Sequence, residues 1–223
     1  MVTLQLRQLD IPLGQRLLIH DLDWSDLEAV LAELGEKRVC RIAYSDGTLE
    51  MRMPLPKQER EKSILGDIVK ILLEELQIDC ECFGSTTFKS KAMNFALEPD
   101  DCFYIQHQAS MIGKDRIDLA VDPPPDLAIE VDVTSKTQIT AYARLGVPEL
   151  WVYADTELKI YILEAGEYQQ SLTSPTFPDL PILEWVSEVI AQSRAIGRSP
   201  ALRSLRHKIR SRVTQTVINK VEQ

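Results

Sequence analysis

Several things that would settle a protein's class at once are scarce in this chain. Its nine glycines, spread over 223 residues, never gather into a phosphate-cradling loop. A P-loop nucleotide hydrolase is therefore excluded. Four cysteines, Cys40, Cys80, Cys82 and Cys102, are too few for a disulfide scaffold. Nor is C-x-C the C-x2-C spacing of a structural zinc site. They read as reduced packing residues, with Cys80 and Cys82 on one face of a strand because alternate residues point the same way. His20, His107 and His207 are scattered, without H-x3-H spacing or an adjacent nucleophile. No apolar run approaches the ~20 residues of a membrane helix, and a basic-then-apolar leader is missing. With 44% hydrophobic and 26% charged residues the composition is that of a globular protein. A cytoplasmic protein with no membrane partner is expected.

Positive charge is scarce as well. Twenty-five basic residues face 34 acidic ones, a formal net charge of −9, which argues against a general nucleic-acid coat. The imbalance is uneven, however. From Arg194 to Lys220 there are eight Lys or Arg and no acid, so residues 1–193 carry 17 bases against 33 acids. The tail reads either as a solvated helix or as one that approaches phosphates, with Arg203, Arg206, Lys208 and Arg210 the residues to watch.

Three segments are expected: an N-terminal lead-in over 1–24, a main domain over 25–193 and a basic helical tail over 194–223. Asp23-Trp24-Ser25-Asp26 opens a helix through about Leu34, with Ser25 as N-cap and Gly35 as stop. Val39–Tyr44 and Thr48–Met53 alternate as strands about an Asp46-Gly47 hairpin turn. Over residues 58–76, Ile64, Leu65, Ile68, Ile71, Leu72 and Leu76 recur at three- and four-residue spacing and predict a long amphipathic helix. Strands are expected over 80–83 and 86–93, after a turn within 97–105, over 126–133, then over 149–153, 157–163 and 167–170. Helices are expected over 137–145, 182–194 and 199–212. The order predicts a mixed α/β sheet flanked by helices rather than strict βαβ alternation.

Chemistry concentrates in Asp126-Leu127-Ala128-Ile129-Glu130-Val131-Asp132-Val133. Leu127, Ile129, Val131 and Val133 share one face; Asp126, Glu130 and Asp132 share the other with Ala128. Burying unpaired carboxylates is expensive, so the acidic face must meet water, a basic partner or a cation. Asp100, after Pro99 at the mouth of another strand, and Glu59, near the start of the long helix, add further acids. Hard divalent cations such as Mg2+ take a few carboxylates plus water and bring a phosphate and an attacking water together.

Taken in order, Glu98-Pro99-Asp100, Pro125-Asp126-Leu127-Ala128-Ile129-Glu130-Val131 and Leu145-Gly146-Val147-Pro148-Glu149-Leu150-Trp151-Val152-Tyr153 resemble the Uma2 family. That family is abundant in cyanobacteria and belongs to the PD-(D/E)XK, restriction-endonuclease-like superfamily. The resemblance covers about residues 25–212. It implies a mixed central β-sheet flanked by helices, and endonuclease activity dependent on Mg2+ or Mn2+ with DNA as substrate. It implies Asp100 and Glu130 as metal ligands, with Glu59 as an accessory one. Asp132 stands where the superfamily usually has lysine, and a carboxylate there can bind metal or accept a proton but supplies no positive charge. Related sequences carry a lysine four residues before the tyrosine of the next helix, where this chain has Gln138. Lys136 is the nearest substitute for the catalytic amine; Lys89 and Lys91 are alternatives. Gln58 replaces the family's helix-start histidine. Restriction-like nucleases commonly need two sites to cut two strands, which implies a homodimer, and the Trp185 neighbourhood is the sequence feature that could serve it. The competing reading is a nuclease fold that has lost catalysis and serves as an interaction or regulatory module; a third is RNA or nucleotide processing.

Overall fold

Both faces of the 127–131 run are buried, so it sits in the middle of a sheet and everything else is arranged to cover it. The computed structural model describes residues 6–35, 39–132 and 135–221. After a 3-10 turn at Leu6–Gln8 come β1 (Arg16–Ile19), α1 (Trp24–Leu34), β2 (Arg41–Ser45), β3 (Thr48–Arg52) and α2 (Pro56–Glu75). Then follow β4 (Glu81–Cys82), β5 (Phe88–Ser90), β6 (Phe95–Leu97), β7 (Asp101–Tyr104), α3 (Gln108–Met111) and β8 (Leu127–Val131). The chain continues through α4 (Lys136–Leu145), β9 (Glu149–Ala154), β10 (Glu157–Glu164), β11 (Glu167–Ser171), α5 (Ile182–Ile196) and α6 (Arg198–Val221).

The strands form a six-stranded sheet in the order β11-β10-β9-β8-β7-β4 and a five-stranded one in the order β1-β3-β2-β6-β5. Every pairing is antiparallel except β8 with β9. A parallel pair needs a crossover, and α4 supplies it. Gly146, at φ 83°, ends that helix in the left-handed conformation a glycine adopts without a Cβ penalty. The fold is thus the mixed α/β sheet flanked by helices that the sequence predicts.

Alternation along β8 divides the interior. Leu127, Ile129 and Val131 join one core with Ile64, Ile68 and Leu72 of α2, Trp151, and residues of α5 and α6. Ala128 joins a second core with Tyr142 of α4, Ala43, Leu97 and Leu150. A third lies between α1 and the outer face of the five-stranded sheet, around Leu27, Tyr44 and Leu49.

Local expectations change in several places. The lead-in is not wholly irregular: β1 pairs with β3, Leu17 opposite Met51. The N-cap of α1 is Asp23, not Ser25; Asp26 N–H donates to Asp23 Oδ1 at 2.9 Å and Asp23 N–H donates back to Asp26 Oδ2 at 3.0 Å. This reciprocal box satisfies two helix-end donors, which one serine would not. The strand expected over 86–93 shrinks to β5, because a turn closes at Asn94 (φ 51°) with its N–H on the Lys91 carbonyl. Trp185, which from sequence could be core or interface, packs in the core with α2 and α6. Val133 lies outside the described residues.

The tail extends as α6 and lays Ala201, Leu205 and Ile209, at four-residue spacing, into the core beside α2. Its charges are used locally. Arg206 Nη1 and Arg210 Nε donate to Glu75 at 2.9 and 2.7 Å, Arg206 Nη2 donates to Glu74 at 2.9 Å, and Lys208 pairs with Glu188. The expectation that Arg206, Lys208 and Arg210 are available to clamp a nucleic-acid backbone is therefore corrected: acidic residues of α2 and α5 hold them.

Hydrogen bonds from Arg210 and Arg206 pull the Glu75 carboxyl from its usual 4.5 down to about 2. A depressed pKa contributes stability above the unfolded value and loses it as pH falls through the folded one. Glu75→Gln should therefore melt below the parent at pH 7. The gap should close between pH 4.5 and 2, as read by circular dichroism melts across that range.

Candidate functional site

The site begins with strand register. Antiparallel pairing of β7 with β8 sets Asp101 opposite Ile129, so Asp100, one residue before β7, faces Glu130. Asp100 Oδ2 accepts the Val131 N–H at 2.8 Å, which locks the carboxylate across the strand ends. Glu130 is fully buried and points to the α4 side, where the Tyr142 hydroxyl donates to Oε1 at 2.5 Å.

The countercharge comes from the β2–β3 hairpin, where Arg41 and Arg52 are register partners. Arg52 Nη1 donates to the Val131 carbonyl at 2.7 Å, and Nη2 donates to Glu130 Oε2 at 3.1 Å. The same Nη2 lies 3.7 Å from Asp100 Oδ2. Arg41 is set further out, 3.8 Å from Asp100 Oδ1 and 3.7 Å from Glu59 Oε1. Two carboxylates and one carbonyl thus converge on a single guanidinium.

Burial pushes the Glu130 carboxyl up to about 8, reinforced by the Asp100 charge and opposed by Arg52 and the Tyr142 hydroxyl. Burial works against the charge on Arg52, but Glu130 and Asp100 outweigh it and raise that guanidinium above its ordinary value. Tyr142, buried and facing Glu130, is likewise pushed up and stays a donor. A buried ion pair adds little net stability over an apolar replacement, yet removing one partner costs about 3–5 kcal/mol. The arrangement therefore constrains geometry more than it stabilises the fold.

The other expected residues fall around this centre without joining it. Glu59 reaches it only through Arg41. Asp132 leaves the strand at φ 64°, is exposed, and accepts from Gln58 Nε2 at 2.6 Å, so its carboxylate is turned to the first turn of α2. Asp126 sits at the opposite end of β8, accepting the Ile105 N–H at 2.6 Å and lying 2.7 Å from His107 Nδ1. Lys136 is exposed at the first residue of α4. Of the alternative amines, Lys89 pairs with Glu28 at 3.8 Å and Lys91 is exposed. Gln138, in the family's lysine position, is buried over the N-cap Ser135. Among the described residues no three His, Cys, Asp or Glu side chains are grouped to hold a metal ion.

Sequence reasoning missed Arg41, Arg52, Tyr142 and the Val131 carbonyl. A signal existed for the arginines. Each stands at a strand end beside residues that alternate into the cores, in Arg41-Ile42-Ala43-Tyr44 and Leu49-Glu50-Met51-Arg52, and a charge in such a pattern needs a partner.

Over residues 24–191 the chain matches the model of a family described as "Uma2: Putative restriction endonuclease". The chain belongs to the Uma2 family. A solved structure titled "putative nuclease belonging to DUF820", from Anabaena variabilis ATCC 29413, is similar at 17% identity and a TM-score of 0.46, covering 65% of this chain and 90% of that one. No curated protein matches. As an Uma2 member the chain carries the family's nuclease assignment, and no described helix is long and apolar enough to cross a membrane.

Tyr142→Phe removes the donor to Glu130 Oε1 without changing ring volume. A buried acceptor left unsatisfied costs about 1–3 kcal/mol, so urea unfolding should show a lower midpoint with an unchanged slope.

Proposed function

We propose that this Uma2 protein is a Mg2+-dependent endonuclease that hydrolyses DNA phosphodiester bonds, with Mn2+ able to substitute. The observation that carries the reading is the convergence of Asp100 Oδ2, Glu130 Oε2 and the Val131 carbonyl on one cation. Carboxylate and carbonyl oxygens are the donors hard divalent ions prefer, and the Arg52 guanidinium standing among them supports the reading of the trio as a cation site. Asp100 and Glu130 would hold the metal together with that carbonyl, and Glu59 would serve as an accessory acid through Arg41. A bound divalent ion supplies Lewis acidity to the phosphoryl oxygens and a more acidic water.

The chain's own groups supply the rest. Val131 N–H fixes the rotamer of Asp100, and the Tyr142 hydroxyl fixes that of Glu130. Asp132 is exposed one residue beyond the trio, where it can accept a proton from the attacking water. Lys136, exposed at the start of α4, is assigned to stabilise charge developing on the phosphate.

A cleft of ≈ 550 Å³ supports a nucleic-acid substrate. It is lined by Lys57, Arg60, Arg194 and Arg198, with Glu61 as its acidic member. It runs along the first turns of α2, the helix whose Gln58 holds Asp132. These bases give an acidic protein a local track for phosphates.

One observation favours a second reading, the nuclease fold kept for interaction without catalysis: Arg52 already satisfies the trio, and Gln138 replaces the family's lysine. Incubation with supercoiled plasmid, single-stranded DNA and RNA in Mg2+ separates the possibilities. Nicking of plasmid that is lost in Asp100→Ala and Glu130→Ala is expected. Nicking that survives Glu130→Ala unchanged would move the site elsewhere, and cleavage of RNA alone would change the substrate. For the cleft, Lys57→Ala and Arg60→Ala should each weaken DNA binding uniformly across sequences. Each should also flatten the dependence of log K on log salt by about 1, as measured by fluorescence anisotropy from low to high salt.

A further inference from the structure

We propose that Arg52 is the resident cation of this site and that a divalent ion binds only by displacing its guanidinium, so that Arg52 sets the metal affinity. The inference rests on the metal-dependent reading above and specifies how that site is regulated.

Three observations support it. First, the guanidinium and a hard divalent ion would draw on the same oxygens. Nη1 takes the Val131 carbonyl at 2.7 Å, and Nη2 takes Glu130 Oε2 at 3.1 Å while lying 3.7 Å from Asp100 Oδ2. Two positive charges cannot share that trio, because each would meet the other's charge at contact distance with little water between them.

Second, the guanidinium fits its place incompletely. Arg52 Nε is buried with no hydrogen-bond partner among the described residues, and so is Arg41 Nε behind it. The 3.7 Å approach to Asp100 is an ion pair without a hydrogen bond. An orphaned buried donor is a standing penalty that movement toward water removes. Arg52 is thus held by charge more than by complementarity, and a competing cation has less to overcome.

Third, the displaced side chain has somewhere to go. The Asp132 carbonyl is 3.5 Å from Nη1, and the Asp132 side chain beyond it is exposed. Moving outward along that line takes the guanidinium toward solvent at the carboxyl end of β8. A guanidinium there can form paired charge-assisted hydrogen bonds to phosphate oxygens. Arg52 would then be a positioning residue that holds the carboxylates in place and afterwards steadies the substrate.

The test is Mn2+ titration calorimetry on the full chain, comparing the parent with Arg52→Met and using Asp100→Asn to locate the ion. Arg52→Met should bind Mn2+ at least tenfold more tightly than the parent, with binding lost in Asp100→Asn. Equal or weaker affinity in a folded Arg52→Met overturns the displacement proposal and leaves the metal-dependent reading standing. No Mn2+ binding by either protein overturns both. Should Arg52→Met fail to fold, arginine side-chain NMR of the parent decides. Loss of the restrained Arg52 guanidinium signal on adding Mg2+ supports displacement, and a signal unchanged throughout the titration overturns it.

Discussion

A carboxylate with no access to water organises this molecule. Glu130 is fully buried, and a lone charge there would be expensive enough to suppress its own ionisation. The remedy draws in distant parts of the chain: Arg52 from the β2–β3 hairpin, Tyr142 from the crossover helix, and Asp100, across the register, as the like charge Arg52 must also offset. Each is close only because a separate element is docked correctly. The five-stranded sheet must lie against the α4 side for Arg52 to arrive, and α4 must cross from β8 to β9 for Tyr142 to do so. Loss of any one leaves a buried polar group without its partner. The cluster therefore acts as a register pin for the two sheets.

Topology explains why the pin sits where it does. Among the described residues only β8 and β9 run parallel, and the chain leaves the carboxyl end of β8 at Asp132 with a positive φ before α4 begins. Strand ends at such a crossover leave backbone carbonyls beyond the sheet ladder, and the Val131 carbonyl is one of them. The Asp132 N–H still bonds the Tyr153 carbonyl at 2.8 Å, so the pairing with β9 closes just as the side chain turns outward. The 126–133 run thus resolves into three fates: Asp126 caps backbone donors at one end, Glu130 is sealed in the middle, and Asp132 is delivered to the surface.

How much of this the sequence could disclose depends on the range of the interaction. Period-two alternation in 127–131 and three-four spacing in 64–72 record which face is apolar, and both are local, so the strand, the long helix and the mixed sheet were legible. So was the pairing of the PD aspartate with the strand glutamate, because an ordered motif carries it. The hairpin at Asp46-Gly47 was legible for a chemical reason: both residues take positive φ, 52° and 73°, and Asp-Gly is the pair that tolerates it. Arg52 was not legible as the partner of Glu130, since 78 residues separate them and nothing in either segment names the other. The tail misled for the same reason. A run of bases without acids looks available until α2 is seen to set Glu74 and Glu75 beside it.

Those tail pairings bear on how an acidic protein meets a polyanion. Charges in α6 that are tied to α2 and α5 contribute little field at a distance, because each base cancels a nearby acid. The long-range potential is then that of the acidic body, which repels DNA. Attraction has to be generated at short range, where the cleft beside α2 gathers Lys57, Arg60, Arg194 and Arg198 within one lining. Glu61 offsets part of that charge through Lys57 and Arg194, and Asp67 through Arg198, so the surplus is smaller than the four bases suggest. Binding built this way is weak until a phosphate is close and steep thereafter, which favours contact at one local track over sliding on the duplex.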